Sequence, residues 1–336
     1  MTTRRSSLTR LPLDRRGFLL GVGGLSTLAL TGCGLGTAAG FSASGELAGP
    51  VADIDLEGLE IGVGSKNFTE QIIIGKMAVI LLKSAGATVQ DLTNIPGSAT
   101  AREAMLQDDV QMQWEYTGTA WIAYLGESDP IADERGQYEA VRDRDLEENG
   151  LVWLEPAPMN NTYGFAAKAS KAEELGITKL SELKDLSTEE LSFCVESEFN
   201  SRNDGMDPML QTYGLERGSD IPGNQIKVFD TGAIYAATDQ GECNFGEVFT
   251  TDGRIKALDL VVLEDDEEFF PKYNVSPVFT QEVIEEYPQL RELFNPVSAE
   301  LTDDLLIELN ARVDVDGEEP SEVAMDWLTQ AGFVTE

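Results

Sequence analysis

The chain has 336 residues, 42% of them hydrophobic, with 24 basic side chains against 60 acidic ones. That is room for two domains of ordinary size with real cores, and a formal charge of −36 argues against a nucleic-acid partner, whose phosphates demand clustered Lys and Arg. Histidine is absent, which removes Ser-His-Asp and Cys-His nucleophiles, HExxH zinc sites and histidine proton shuttles.

The first residues are basic: Arg4, Arg5, Arg10, Arg15 and Arg16 stand against Asp14 alone. An apolar run from Phe18 to Leu30 follows, too short to span a bilayer as a mature helix and suited to the core of a signal peptide. Asp14-Arg15-Arg16-Gly17-Phe18-Leu19-Leu20 resembles a twin-arginine export signal. Leu30-Thr31-Gly32-Cys33 resembles a bacterial lipobox, in which the cysteine is lipidated and becomes the mature N-terminus. Residues 1–32 therefore read as a removed signal peptide. Residues 33–58, beginning with lipidated Cys33, read as a flexible Gly-, Ala- and Ser-rich tether. The mature protein is expected to be exported and held at the outer face of the cytoplasmic membrane by its lipid, without a spanning helix. Two cysteines remain, Cys194 and Cys243, both in short apolar runs. Export permits a disulfide between them, and buried free thiols suit the same positions.

Along the mature chain, strand and helix patterns alternate. Leu59 to Gly64 reads as a strand, and Thr69 caps a helix carrying Ile72, Ile73, Met77, Ile80 and Leu81. Val89 to Ile95 is a strand, and Thr100-Ala101-Arg102-Glu103 forms a capping box for the next helix. Val110 to Tyr116 is a third strand, turning at Thr117-Gly118. Asp129 to Asn149 reads as a charged, solvated helix. A new strand begins at Asn161-Thr162-Tyr163, and a second β-α set continues through Leu191–Val195, Ile226–Phe229, Cys243–Phe249 and Leu260–Leu263. Strand Ser276 to Phe279 returns the chain to the first unit, and helices fill the tail. The expectation is an α/β fold of two lobes: 59–160 and 272–336 form lobe 1 and 161–271 forms lobe 2. Two crossings would leave a cleft, and hinge closure is a known way for such a pair to work. Asp314-Val315-Asp316-Gly317 imitates part of a calcium loop, but the flanking ligand positions fall on Arg312 and Val323, so no metal is expected there.

Tyr116 ends a strand and is followed by a hydroxyl and a glycine, a good place to meet a ligand in an open α/β fold. It also suits an aromatic core strand with a capped turn. The surrounding blocks favour the first reading. Gly64-Ser65-Lys66-Asn67-Phe68-Thr69-Glu70-Gln71, Glu115-Tyr116-Thr117-Gly118-Thr119, Glu198-Phe199-Asn200-Ser201-Arg202-Asn203-Asp204-Gly205, Thr250-Thr251-Asp252-Gly253-Arg254-Ile255 and Phe270-Pro271-Lys272-Tyr273 occur in that order. With them the chain resembles the substrate-binding lipoproteins of ABC importers for glycine betaine, choline, carnitine and related osmoprotectants, over about Leu59 to Phe333.

The resemblance implies a type II periplasmic-binding-protein fold with the ligand in the interlobe cleft, no catalytic residue, no cofactor, a monomer, and an ABC permease as partner. It implies an aromatic cage for a quaternary amine at Tyr116, Tyr163, Phe249 and Tyr273. A trimethylammonium group has no N–H to donate, so π faces read it where hydrogen-bond acceptors cannot. Phe249 replaces the tyrosine usual in the family, keeping the ring and losing the hydroxyl. Lys66, Thr119 and Arg202 match the carboxylate contacts, and Glu198 stands beside the arginine. Retaining both cations favours a ligand with a carboxylate, glycine betaine before choline. Tyr235, Trp121 and Trp114 read as core or support, and Glu115 as pointing away from Tyr116 along the strand. The other readings are a choline, carnitine or other amine binder, a sensor lipoprotein without a transporter, and an enzyme using Lys66 with Glu198 or Asp252.

Overall fold

The computed structural model describes residues 44–127, 131 and 133–335; the expected signal peptide, Cys33 and the start of the expected tether lie outside them. The strands are β1 (Glu46–Leu47), β2 (Glu60–Lys66), β3 (Thr88–Ile95), β4 (Met112–Tyr116), β5 (Leu151–Trp153), β6 (Tyr163–Lys168), β7 (Phe193–Val195), β8 (Ile226–Val228), β9 (Phe245–Phe249), β10 (Leu260–Val262), β11 (Val275–Thr280) and β12 (Val334–Thr335). They form two five-stranded sheets, ordered β3-β2-β4-β11-β5 and β10-β6-β9-β7-β8, and a small pair β1-β12. In the first sheet β2 runs parallel to β3 and β4, while β11 is antiparallel to both β4 and β5. In the second, β9, β7 and β8 run parallel, and β6 is antiparallel to β9 and β10. The chain passes from the first sheet to the second between β5 and β6, and returns between β10 and β11. This is the two-lobed α/β fold the alternating pattern implies.

Helix Thr69–Ser84 explains why lobe 1 is one body. Ile73, Ile74, Met77, Ile80 and Leu81 are all fully buried, as befits a helix apolar on every side. It packs between the first sheet and the C-terminal helices Asp303–Asp314 and Pro320–Gln330. Each such aliphatic side chain stabilises the fold by about 1.5–3 kcal/mol, so truncating Met77 opens the centre of the lobe. Lobe 2 has its own core, built on Phe165, Phe193 and Phe245 with ring centroids 5.6 and 5.4 Å apart. Cys194 and Cys243 are joined, with Cα atoms 5.7 Å apart, which decides between the two readings left open above.

Three local expectations are corrected. Residues 46–58 do not behave as tether. Glu46 and Leu47 pair with Thr335 and Val334, and Val51 and Leu56 are fully buried in lobe 1. Thr69 does not cap its helix; Phe68 holds that position, and the Thr69 hydroxyl donates to Asp314 at 2.7 Å. Helix Ser98–Leu106 begins two residues before the supposed capping box, so Thr100 lies inside it. The Ser98 N–H donates instead to Glu198 of lobe 2 at 3.1 Å, a cap supplied from across the cleft.

Candidate ligand site between the lobes

A small cavity of about 30 Å³ lies where the lobes meet, lined by Lys66, Phe68, Ser98, Tyr116, Thr119, Asn161, Tyr163, Phe249 and Tyr273. Six of the eight residues predicted for the ligand are therefore in one wall. The rings form a belt: Tyr116 and Phe68 have centroids 6.1 Å apart, Phe68 and Phe249 5.1 Å, Phe249 and Tyr163 5.4 Å, and Tyr163 and Tyr273 5.6 Å. Tyr116 and Tyr273 belong to the core of lobe 1, and Tyr163 packs against the cores of both lobes. A cavity of this size has room for about two waters, so admitting a larger ligand requires the rings to move apart.

The sequence explains the close fit. Gly118 is where it is because a Cβ there would stand 2.6 Å from the Tyr273 ring and 2.7 Å from the Lys272 carbonyl oxygen. Tyr116 comes at the carboxyl end of β4, and the chain turns at once into helical residues Thr117–Thr119 and Ala120–Tyr124. The Tyr116 ring and the Thr119 hydroxyl are thereby held on one cavity wall. Phe249 ends β9 opposite Tyr163, its pairing partner in the sheet, and the Phe249 N–H donates to the Tyr235 hydroxyl at 2.9 Å, which makes Tyr235 a support.

The cations are arranged differently from the expectation. Lys66 is buried and its Nζ lies 2.5 Å from Glu115 Oε1, with the ammonium 5.0 Å from the centroid of the Tyr116 ring. Glu115 also accepts from the Tyr124 hydroxyl at 2.8 Å and the Tyr116 N–H at 2.7 Å. Arg202 and Glu198 are not in the cavity wall. Arg202 grips Asp204 with Nε and Nη2, both at 2.6 Å, and meets Glu198 at 3.2 Å through Nη1. Its guanidinium lies 5.4 Å from the centroid of Tyr163, and Asp204 in turn accepts from the Tyr273 hydroxyl. Both cations are thus already paired inside the protein, so a ligand without a carboxylate would not strand them. Burial alone would raise the Glu198 pKa, but the Ser98 contacts and the Lys66 and Arg202 charges hold it below the usual carboxylate range. Glu247, buried behind this group, is pushed up to about 8 by burial and by the Glu196 and Glu198 charges, against the Glu196 N–H that bonds it at 2.7 Å.

Phe68, Ser98, Asn161, Asp204 and Glu115 had no assigned role. Phe68 was detectable, since it stands two residues past the carboxyl end of β2, in the same place relative to the sheet as Tyr116 at the carboxyl end of β4. Asp204 sits two residues after Arg202, but nothing local shows that its carboxylate reaches Tyr273. A larger open groove of about 760 Å³ lies on the other side of Tyr163, between the two crossing segments, and shares only that ring with the predicted set. Among the described residues no cluster of His, Cys, Asp or Glu is arranged to hold a metal, and no helix is long and apolar enough to cross a membrane.

Residues 60–330 match the family described as the substrate-binding domain of ABC-type glycine betaine transport systems. The chain belongs to this family. Among relatives of these substrate-binding proteins, a glycine-betaine-binding protein of Pseudomonas aeruginosa is 37% identical over 276 residues, 80% of this chain and 86% of that one. The glycine betaine-binding protein YehZ of Escherichia coli is 32% identical over 281 residues, 81% of this chain and 91% of that one. The solved structure of apo YehZ superposes with a TM-score of 0.61 at 30% identity, covering 82% of this chain and 99% of that one. A crystal structure of a glycine betaine/carnitine/choline ABC transporter gives 0.65 at 25% identity, covering 80% and 98%. The fold of the binding protein is accordingly the type II periplasmic-binding-protein fold.

Proposed function

We propose that this protein captures glycine betaine between its lobes and delivers it to a membrane permease, without chemical change to the ligand. The observation that carries the reading is the belt of five rings, Tyr116, Phe68, Phe249, Tyr163 and Tyr273, walling one interlobe cavity. A quaternary ammonium is held there by π faces, at about 0.5–2 kcal/mol per ring. Its carboxylate meets the Thr119 hydroxyl and the Lys66 ammonium, which keeps free N–H donors after pairing with Glu115. Arg202 and Glu198 act from behind, Arg202 holding Tyr163 and Tyr273 in place through its own ring contact and through Asp204. Choline, which shares the cation, is the second reading; it is favoured by the finding that both protein cations are already paired.

Export and anchoring complete the reading, resting on the basic start, the apolar run and the Leu30-Thr31-Gly32-Cys33 block. The protein acts as a monomer at the outer face of the cytoplasmic membrane. Titration calorimetry with glycine betaine, choline, carnitine and proline tests the ligand assignment. Binding of glycine betaine with recovery of intact ligand is expected, and heat from none of the four at low or high salt removes the assignment.

A further inference from the structure

Glu70 stands in the first turn of helix Thr69–Ser84, where an exposed acid would simply face the positive end of the helix. Here it is buried, 2% exposed, and it does not line the aromatic cavity. Oε1 accepts from the Tyr116 hydroxyl at 2.6 Å and Asn161 Nδ2 at 2.9 Å. Oε2 accepts from the Thr251 hydroxyl at 2.6 Å and, more distantly, Asn310 Nδ2 at 3.4 Å. An ionised carboxylate is an acceptor with about four lone-pair sites, and four neutral donors meet them; burial raises the Glu70 pKa, and these hydrogen bonds to Thr251, Tyr116, Asn161 and Asn310 oppose that rise. Burying a carboxylate is costly unless it is hydrogen-bonded in this way.

The donors come from different bodies. Tyr116 and Asn310 belong to lobe 1, Asn161 to the first crossing, and Thr251 to the turn after β9 in lobe 2. That turn is seated without slack, since a Cβ on Gly253 would stand 2.5 Å from the Ala311 Cβ. One carboxylate therefore touches a ring of the cage, the hinge segment and the opposite lobe. A tyrosine donating its hydroxyl proton to a carboxylate also keeps more electron density in its ring, the property a cation reads.

On the reading that the cavity takes a quaternary ammonium ligand, we propose that Glu70 is a positioning residue that couples lobe closure to the cage. Closure brings the Thr251 hydroxyl to one carboxylate oxygen while the other oxygen fixes the Tyr116 ring. Opening withdraws Thr251 and leaves the carboxylate short of a donor. The ligand is thus bound best by the geometry in which both lobes share Glu70.

The test is a calorimetric titration of glycine betaine into the full chain and into Glu70→Gln, Tyr116→Phe, Thr251→Val and the double variant Glu70→Gln/Tyr116→Phe. It is read together with amide exchange over residues 250–254 in the absence of ligand. Glutamine keeps the shape but turns an amino group toward donors. Each single change should weaken binding about tenfold, the double should be no weaker than Glu70→Gln alone, and exchange at 250–254 should rise in Glu70→Gln. Binding within twofold of wild type in Glu70→Gln, or losses that multiply in the double, overturns the proposal. If wild type binds no quaternary amine, the cavity reading fails. The exchange data then judge Glu70 alone: faster exchange supports its tie to lobe 2 and unchanged exchange overturns it. If Glu70→Gln fails to fold, Tyr116→Phe and Thr251→Val, each lacking one hydroxyl, and their double variant decide by the same criteria.

Discussion

The lobes meet along two seams built on opposite plans. At one, Glu198 caps helix Ser98–Leu106 across the cleft and Asp204 holds Tyr273, while Arg202 pairs with both acids. At the other, Glu70 is served by Tyr116, Asn161, Thr251 and Asn310. Arg202, Glu198 and Asp204 all belong to lobe 2, so their charges stay matched whether or not lobe 1 is near. Glu70 draws its donors from both lobes and is fully satisfied only when they meet. The first seam is thus reversible at small electrostatic cost, and the second carries the stronger dependence on closure. The general lesson is that a paired charge tolerates opening, whereas an acid that takes one of its donors from the partner lobe loses part of its satisfaction.

The broadest way to calibrate that comparison touches neither seam. Replacing Cys194 and Cys243 with serine removes a link between residues 49 apart, and denaturant unfolding should show a loss of about 4 kcal/mol. Ligand affinity should stay within about twofold of wild type, since both sulfurs lie outside the cavity wall.

Acidity probes the charged seam next. Glu247 is buried with its pKa raised to about 8, above its unfolded value of about 4.3. A raised folded pKa means that its contribution is present at low pH and is lost as pH climbs through the folded value. The thermal midpoint should therefore fall between about pH 5 and pH 8, and Glu247→Gln should flatten that slope. A slope unchanged by the substitution would place the pH sensitivity elsewhere.

Smaller effects separate the seams in binding. Tyr273→Ala removes a ring of the proposed cage and the donor to Asp204, and calorimetry should show affinity reduced about 30-fold, some 2 kcal/mol. Tyr273→Phe keeps the ring and should lose about fivefold, which isolates the hydroxyl. Glu198→Gln should cost least, about threefold, because the side chain is 31% exposed and water screens what it offers Ser98. A loss at Glu198 greater than that at Glu70 would reverse the comparison.

Much of this architecture is legible in the sequence because it is local. Strand and helix periods mark the order of elements, and aromatic residues at strand ends mark Tyr116 and Phe249. What is not legible depends on distant partners. Thr100 makes a plausible capping box, yet the cap comes from Glu198, 100 positions from Ser98. Residues 46 and 47 look like tether until Val334 and Thr335 arrive beside them. Lys66 reads as a free cation awaiting a carboxylate because Glu115 lies 49 positions away; Arg202 has its acids close by in sequence, Asp204 and Glu198, and what local sequence hides there is the reach of Asp204 to Tyr273 across 69 positions. Glu70 looks like an ordinary acid in a first helical turn, and only the fold buries it.

The central claim, a quaternary ammonium held by rings of both lobes, is tested most directly by a crystal structure with glycine betaine. The ligand nitrogen should lie within about 6 Å of the ring centroids of Tyr116, Tyr163, Phe249 and Tyr273, with the carboxylate toward Thr119 and Lys66. Ligand found instead in the outer groove beyond Tyr163, or no bound ligand at saturating concentration, would contradict the account.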